Sequence, residues 1–456
     1  MKIIILGSGQ VGKTVAEYLL TEDNDITVVD NNKLRLFRLQ DRLDLRVVLG
    51  CVGYPEVLRE AGAEESDILI AATDSDEMNI MACQMTCSFF SIPKCIASIQ
   101  STDYMEIEDK IFSKNKKYIN YFIHPQKMII NGLINFIKYP GILKIIYLLD
   151  GNIVLALFRV SNNSHLVDAS ISDIKNRIAS ITFSIPIIVR KKIPFFPINS
   201  TILKKNDEFL ILCLSKNFLK LIKNFKNFTQ VTNRNIVLLG GGNIGFGIAR
   251  SLEKKYNVTV IESNKKRAKK ISKYLKYATV LFGNVSDIGF FSEVNINNID
   301  VFISVTNNDE INIISAIIAK KMLSKQSLSL VKNEFYLNLI NFSKIIDEFF
   351  FPQEVMISEL LNKIRSSNII SLFFFQIGKI EVIEIIIRKK NNTNCIIGSL
   401  LTDIKLPSSI MIFAVIRYNN FIFSKNHFYG IRIKEEDHII LLSTDRKNIK
   451  VIEKLF

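Results

Sequence analysis

Two stretches of this chain repeat a succession of residues that few folds can accommodate. The first begins at Lys2 as KIIILGSGQVGKTVAEYLL and the second at Asn235 as NIVLLGGGNIGFGIARSL. In each, an apolar run of strand length leads into Gly-x-Gly-x-x-Gly, a helix-period stretch and a second apolar run that ends on an acid. A strand, a tight glycine turn, a helix and a parallel strand form a βαβ unit. Both stretches therefore predict Rossmann-like, doubly wound parallel-sheet lobes.

The glycines and the acid of each copy have the properties that hold a dinucleotide. The first glycine permits a tight turn, the second lets backbone approach a pyrophosphate, and the third lets the helix pack close to the strand. The pyrophosphate would lie at the helix N-terminus, where the dipole favours an anion. The acid can accept hydrogen bonds from the ribose hydroxyls, and its charge repels a 2′-phosphate. Both properties favour NAD(H) over NADP(H). The candidate residues are Gly7, Ser8, Gly9, Gln10, Val11, Gly12 and Asp30, and in the second copy Gly240, Gly241, Gly242, Asn243, Ile244, Gly245 and Glu262.

The alternation of strands and helices continues beyond each glycine motif. Strands are predicted at 45–49, 67–72 and 95–99, with helices at 55–61 and 79–90 between them. The segment TDSDEMNIMA, which starts at Thr73, recurs 233 residues later as TNNDEINIIS. Ligands bind beyond the carboxyl ends of parallel strands. We therefore interpret Thr73 and Asp74, with Thr306 and Asn307, as nucleotide contacts.

Helix capping is the other interpretation of these polar segments, since Asp, Ser and Asn all cap helix N-termini. We expect Asp76 and Asp309 to be caps of this kind.

The segments that follow each Rossmann-like stretch also repeat. SHLVDASISDIK (164–175) matches CIIGSLLTDIK (395–405), and NDEFLILCLS (206–215) matches EEDHIILLST (435–444). Alternating strands at 182–189 and 410–417 predict a small α+β lobe with an antiparallel sheet. The predicted order is a Rossmann-like lobe at 1–125, a small lobe at 140–226, a second Rossmann-like lobe at 233–352 and a second small lobe at 368–456. Linkers are expected at 139–141, 229–234 and 362–368.

Composition bears on location and partners. The chain is 48% hydrophobic, yet it has no uninterrupted apolar run of the roughly 18 residues that span a bilayer. It opens directly on a strand, so we expect no signal peptide and a cytoplasmic protein. The net charge is +15. A solvated basic surface, an anionic membrane leaflet or an acidic partner would each account for it, and no nucleic-acid-binding motif accompanies the charge.

An NAD-dependent oxidoreductase is the alternative function that a Rossmann turn permits. Such an enzyme needs a proton-transfer residue near the nicotinamide. The histidines lie outside the motif loops, and Lys13 and Lys33 are expected on helix surfaces, so we predict that the chain is not an enzyme. We expect Cys83 and Cys87 to pack in a core and not to bind a metal. The histidines are His124, His165, His427 and His438.

Both glycine turns, the segments NDITVVD, LRVVLG and VLREAGA, and both small lobes resemble tandem members of the RCK family, built of TrkA-N and TrkA-C lobes, over essentially the whole chain. This family regulates the conductance of potassium channels and transporters. The resemblance implies that the N-lobes bind NAD(H) or an adenine nucleotide such as ATP or ADP, and that the small lobes sense further ligands. It also implies a homo-oligomeric ring, peripheral on the inner face of the membrane, beneath an integral-membrane potassium transporter of the TrkH or TrkG type.

Three positions depart from the family pattern. After the fifth strand, relatives typically carry basic residues near a bound phosphate, whereas this chain has Ser98 and Gln100. After the third strand of the second copy, relatives often have Gly-Asp, whereas this chain has Gly283 and Asn284. A charge-assisted hydrogen bond is roughly twice as strong as a neutral one. We therefore expect weaker phosphate contacts at both sites, at Ser98 and Gln100 in the first and at Asn284 in the second.

Overall fold

The computed structural model describes most of the chain. The described residues are 1–20, 24–101, 104, 119–139, 141–149, 151–160, 166–191, 193–225, 234–283, 299–322, 324–333, 336, 346–364, 369–375, 380–388, 396–417, 420–423, 430–444, 452 and 455, with backbone alone at 322, 354, 369–375 and 420–423. Several positions considered above lie outside these ranges, namely His165, Asn284, Cys395, His427 and the linker residues 140, 229–233 and 365–368.

The first Rossmann-like sheet has six parallel strands in the order β3-β2-β1-β4-β5-β6. They are β1 (Lys2–Leu6), β2 (Asp25–Asp30), β3 (Arg46–Leu49), β4 (Ile68–Ala71), β5 (Lys94–Ser98) and β6 (Tyr121–Ile123), with α1 (Gln10–Leu20), α2 (Lys33–Gln40), α3 (Pro55–Glu60), a 3-10 turn at Ala63–Glu65 and α4 (Asp76–Phe89) between them. The central strands β1 and β4 are buried almost throughout, as expected for strands covered on both faces. Strand order reverses between β1 and β4, where such sheets bind ligands.

The chain continues into an antiparallel sheet with the order β11-β10-β12-β8-β7 and with β9 paired to β12. Its elements are α5 (Pro125–Lys138), β7 (Ile142–Leu148), β8 (Ile153–Arg159), α6 (Ile171–Arg177), β9 (Phe183–Ser184), β10 (Ile188–Arg190), β11 (Ile193–Phe195), β12 (Glu208–Leu214) and α7 (Ser215–Phe225). The single strand predicted at 182–189 is wrong, because the chain forms two strands there. Pro186 lies in the break, and proline cannot donate a ladder hydrogen bond.

The second Rossmann-like sheet repeats the first, in the order β15-β14-β13-β16-β17-β18, all parallel. Its elements are β13 (Asn235–Leu239), α8 (Asn243–Leu252), β14 (Asn257–Glu262), α9 (Lys265–Tyr274), β15 (Thr279–Phe282), β16 (Ile299–Ser304), α10 (Asp309–Met322), β17 (Ser324–Leu330) and β18 (Glu348–Phe350). The predicted fold class, with two Rossmann-like lobes and small antiparallel sheets, is confirmed.

The last sheet is antiparallel, in the order β19-β20-β23-β21-β22. Its elements are α11 (Pro352–Ile364), β19 (Ile369–Phe375), β20 (Ile380–Ile386), a 3-10 turn at Leu401–Asp403, β21 (Ile410–Arg417), β22 (Asn420–Phe423) and β23 (His438–Ser443). The strand predicted at 410–417 is confirmed. Among the described helices, none is both long and apolar enough to cross a bilayer.

The described residues form two compact units, one of residues 1–125 with 353–456 and the other of residues 126–352. Each unit therefore contains one Rossmann-like sheet and the antiparallel sheet of the other repeat. In the second unit, α5 places Ile129, Leu133 and Ile137 in the core of the second Rossmann-like sheet. In the first, Lys94 Nζ donates to the Ile364 carbonyl of α11 at 3.0 Å. The four lobe boundaries drawn from the sequence stay a prediction.

Candidate nucleotide-binding sites

The first glycine of each motif makes the turn that leaves the first strand. Gly7 has φ +100° and Gly240 has φ +105°, a region that residues with a side chain rarely adopt. The Gly7 N–H donates to the Val29 carbonyl at 2.7 Å, and the Gly240 N–H donates to the Ile261 carbonyl at 2.8 Å. A Cβ on Gly7 would lie 2.6 Å from the Ala72 carbonyl oxygen. The turn is thus held between the ends of three strands.

The third glycine lets the helix approach its own turn. A Cβ on Gly12 would lie 1.8 Å from the Gly7 carbonyl oxygen, and a Cβ on Gly245 would lie 1.9 Å from that of Gly240. Both distances are far below van der Waals contact, and the atoms approached are backbone. Glycine is therefore a packing requirement at these two positions, with or without a ligand.

The second glycine has a different environment. A Cβ on Gly9 would meet nothing closer than Asp74 Oδ1 at 3.9 Å, and a Cβ on Gly242 would meet nothing within 4 Å. The helices start here, since Lys13 N donates to the Gly9 carbonyl at 2.9 Å and Phe246 N to that of Gly242 at 2.8 Å. Packing does not require glycine at either position. The open side of each Cα suits a diphosphate that approaches the backbone.

The acid at the end of β2 binds the glycine turn of its own lobe. Asp30 Oδ2 accepts from Ser8 N at 2.5 Å and from Ser8 Oγ at 2.7 Å, and Oδ1 accepts from Asn32 N at 2.8 Å. Burial on its own would raise the pKa of Asp30, but these hydrogen bonds and the Arg35 charge hold the pKa below its usual value. Asp30 therefore stabilises the turn in the protein alone, and Oδ1 retains acceptor capacity for a ribose hydroxyl.

Glu262 repeats this arrangement in the second lobe. Its Oε2 accepts from Gly241 N at 2.9 Å and its Oε1 from Asn264 N at 2.8 Å. Arg267 Nη1 lies 3.8 Å from Oε2. Gly241 has no hydroxyl to add, so Glu262 accepts one hydrogen bond fewer from its turn than Asp30 does.

Acidification should remove the contribution of Asp30 to stability. Because its pKa is lower in the folded than in the unfolded protein, that contribution is fully present above the ordinary pKa of 3.8 and is lost as the pH falls through the lower folded value. Asp30→Asn is therefore expected to lower the free energy of unfolding at neutral pH, by an amount that shrinks on acidification. Urea unfolding of both proteins across this range measures the difference.

Asp74→Asn is the control, since the Asp74 side chain is 88% exposed and should show almost no difference from wild type. A gap between Asp30→Asn and wild type that is constant with pH would contradict the role of the ionised carboxylate.

Thr73 and Thr306, predicted as nucleotide contacts, lie at the ends of β4 and β16. In the structure, their hydroxyls bond to an asparagine of the same lobe. Thr73 N and Oγ1 both donate to Asn79 Oδ1, at 2.9 and 2.6 Å, and Asn79 Nδ2 donates to the Ser98 carbonyl at 2.9 Å. In the second lobe Thr306 makes the same two bonds to Asn312, at 2.9 and 2.6 Å. The two asparagines are functional positions that the sequence analysis above does not include, and their recurrence 233 residues apart is the signal for them. The threonines as nucleotide ligands stay a prediction.

The expectation that Asp76 and Asp309 cap the following helices is wrong. Ser75 caps α4 through a bond from Met78 N, while Asp76 accepts from Gln100 N at 2.9 Å and from Ser101 N at 2.7 Å. Asp309 accepts from the corresponding backbone groups, Lys332 N and Asn333 N, both through Oδ2, at 3.0 and 2.8 Å. These carboxylates hold the loop beyond the fifth strand, a long-range contact that capping statistics cannot reveal.

The remaining candidates lie around the same edge of each sheet. Ser98 ends β5 and is buried, Asn307 is exposed beyond β16, and Asp74 Oδ2 lies 3.7 Å from Arg35 Nη1. Arg35 and its counterpart Arg267 are cations beside the acids that are not among the residues predicted from the sequence. Their signal was the recurrence of Asn-x-x-Arg after each acid. The first-turn residues are Gln10 and Val11 in α1, and Asn243 and Ile244 in α8.

Three of the five described cysteines are buried, and Cys51 and Cys87 are partly buried. Cys83, Cys95 and Cys213 are buried, and burial raises the pKa of Cys213 to about 12. Within the described part of the chain, no group of three or more His, Cys, Asp or Glu side chains could hold a metal ion.

Comparison with known proteins places the chain in a family. The TrkA-N domain model matches residues 3–116 and 236–347. Over the whole chain, it is 36% identical to the Trk system potassium uptake protein TrkA of Haemophilus influenzae and 35% identical to that of Vibrio alginolyticus, with 98% of each relative covered. The GsuK RCK domain has the same fold, with a TM-score of 0.65 at 17% identity over all of this chain and 94% of that one. A GsuK channel bound to NAD gives a TM-score of 0.64 at 16% identity, over all of this chain and 78% of that one.

Proposed function

The chain belongs to the family of Trk system potassium uptake proteins TrkA, and from that premise we propose that it is the nucleotide-binding regulatory subunit of a potassium transporter. It acts in the cytoplasm, as a ring of identical chains on the inner face of the membrane, beneath a TrkH- or TrkG-like transporter. The observation that carries the proposal is the duplicated glycine turn, open at Gly9 and Gly242, in a chain related over its full length to potassium uptake proteins.

The site residues favour NAD(H) as the ligand. ATP or ADP would be a second ligand of the same glycine turn. The diphosphate would lie against the backbone at Gly9 and Gly242, at the N-termini of α1 and α8, and the ribose would lie beside Asp30 or Glu262. Ser98 supplies no positive charge to the phosphates, which favours moderate affinity at the first site. We assign no proton-transfer residue to the described part of either site. The relatives are named for potassium uptake and not for a reaction, so we do not propose an oxidoreductase.

Each nucleotide-binding helix also contacts an element from the other repeat, which gives binding a route to a structural change. In the first unit, the Tyr18 hydroxyl of α1 donates to Glu381 Oε1 of β20 at 2.9 Å. In the second unit, Gly247 of α8 packs so closely on α5 that a Cβ would lie 2.4 Å from Ile130 Cδ1. A ligand shifts the position of such helices only by its differential affinity for two arrangements. Regulation then consists of a ligand-induced rearrangement of the Rossmann-like lobes against these elements of the other repeat.

Titration of the purified full-length chain with NADH, NAD, ATP and ADP tests the proposal. Wild type is expected to bind nucleotide, Gly9→Ala and Gly242→Ala should each remove one site, and the double variant should remove both. Since neither added Cβ meets an atom closer than 3.9 Å, thermal melting of the unliganded variants should match that of wild type.

Two results would overturn the proposal. One is no binding of any of these nucleotides at millimolar concentration. The other is undiminished potassium uptake by host cells whose chromosomal copy carries both substitutions, because regulation through these sites would then be absent. Co-purification of the chain with membrane proteins of its host, with and without NADH, identifies the transporter.

A further inference from the structure

Helix α9 and the turn after it carry a basic surface, and the acid that contacts the turn, Glu253, is buried and accepts from Tyr277 N and Ala278 N at 2.8 and 3.1 Å. Between Asn264 and Ala278 the chain has seven cations, all of them exposed, and no Asp or Glu. Arg267 lies 3.8 Å from Glu262. The six lysines form no ion pair with any side chain that the structure describes. The cations are Lys265, Lys266, Arg267, Lys269, Lys270, Lys273 and Lys276.

The lysines are arranged on one face. Ala268 and Ile271 are the buried residues of α9, so Lys266, Lys269 and Lys273 follow one line along the opposite side of the helix, at spacings of three and four residues. Like charges at this spacing repel one another and destabilise the helix. An anionic surface against this face would remove the repulsion.

Tyrosines flank the lysine line. Tyr274 is 62% exposed and Tyr277 is 68% exposed. A tyrosine side chain has an apolar ring and a polar hydroxyl, and it is enriched where a membrane meets water.

The duplicated helix of the first lobe shows that the fold does not require lysines at these three positions. Helix α2 follows β2 in the chain as α9 follows β14. The residues that correspond to Lys266, Lys269 and Lys273 lie 232 positions before them. They are Leu34, Phe37 and Asp41, of which Leu34 is 70% and Phe37 49% exposed. The three positions are lysines in α9 and apolar or acidic in the first copy, although α2 has exposed cations of its own at Lys33, Arg35 and Arg38.

We propose that the outward face of α9 docks on an anionic phospholipid surface. Juxtamembrane clusters of lysine bind such surfaces through the negative potential of the cytoplasmic leaflet. The choice of a membrane over a nucleic acid rests on the proposed function, because a subunit of a membrane transporter works close to the lipid headgroups. Docking at α9 would orient the second Rossmann-like lobe toward the bilayer and leave Glu262 and the glycine turn available to nucleotide.

Sedimentation of the full-length protein with vesicles tests this proposal. One vesicle preparation contains phosphatidylglycerol and phosphatidylcholine, and the other contains phosphatidylcholine alone. Wild type is expected to bind only the anionic vesicles, less so at high salt because screening weakens the attraction. The variant Lys266→Gln/Lys269→Gln/Lys273→Gln should bind them at least about tenfold more weakly, since each lysine at the surface contributes severalfold to partitioning.

The control removes the same charge elsewhere. Lys216, Lys220 and Lys223 are exposed on α7, and their triple glutamine variant should bind anionic vesicles nearly as wild type does. Equal loss in both variants would show that net charge alone drives binding, and it would overturn the assignment to α9. Tighter binding to duplex DNA than to anionic vesicles, lost in the α9 variant, would also overturn it. Nucleotide binding by the α9 variant is measured in a separate titration. If vesicle binding fails, that result overturns the membrane-docking proposal, and the regulatory function is still tested by the nucleotide titration.

Discussion

Replacing Gly12 by alanine is expected to destabilise the first Rossmann-like lobe by about 3 kcal/mol, the upper end of the usual cost of overpacking. The added Cβ would lie 1.8 Å from the Gly7 carbonyl oxygen. Neither atom can rotate away, because one is fixed by α1 and the other by a turn whose N–H is bonded to β2 at 2.7 Å. Relief requires α1 to move off the sheet, with loss of its buried contacts. Urea unfolding and thermal melting of the unliganded protein measure the effect.

Gly9→Ala is the matched control, three residues earlier in the same turn. Its Cβ would meet nothing closer than 3.9 Å, so its stability should lie within about 0.5 kcal/mol of wild type, while nucleotide binding at the first site is lost. Gly245→Ala should repeat the Gly12 result in the second lobe, where the corresponding distance is 1.9 Å. A Gly12→Ala protein that melts with wild type would contradict the packing role assigned to this residue.

Replacing Arg417 by methionine is expected to cost about 3 kcal/mol of stability in the first unit. Arg417 Nε and Nη2 donate to the two carboxylate oxygens of Asp437, each at 2.7 Å, and Asp437 is fully buried. Without the guanidinium, the main remaining donor is Lys434 N at 2.8 Å. A buried carboxylate stripped of its cation is strongly destabilising, whereas the intact pair contributes little net stability compared with apolar residues. Chemical unfolding of the variant measures the loss.

The double variant Arg417→Met/Asp437→Asn separates the two effects. Asparagine keeps an oxygen for Lys434 N and carries no charge, so most of the lost stability should return. The first small lobe offers the counterpart, since Arg190 donates to Asp207 at 2.7 to 3.2 Å and Asp207 is 2% exposed. Arg190→Met should therefore cost a similar amount. If the single and double variants of Arg417 were equally unstable, the buried charge would not be the cause.

The site divides into parts that local sequence could predict and parts that it could not. The glycines and the two acids were predictable because the strand, turn and helix that bring them together lie within about 30 residues, although Gly7 also packs against the distant Ala72. The role of Asp76 was not, because its partners Gln100 N and Ser101 N come from a loop 24 and 25 residues later. Asn79 joins the ends of two strands in the same long-range way.

By itself, the sequence determined that two Rossmann-like lobes alternate with two small antiparallel lobes, and that each cradle has glycine and acid in the required order. The tertiary structure alone decided which lobes share a unit. Helix α5 follows the first Rossmann-like sheet in the chain, yet its apolar face packs in the core of the second, and the unit of residues 1–125 is completed by residues 353–456. Periodicity identifies an apolar face but not the surface that will cover it. In a duplicated chain both lobes offer similar surfaces, so only the packing of particular side chains, such as Phe350 against Gly132, selects between them.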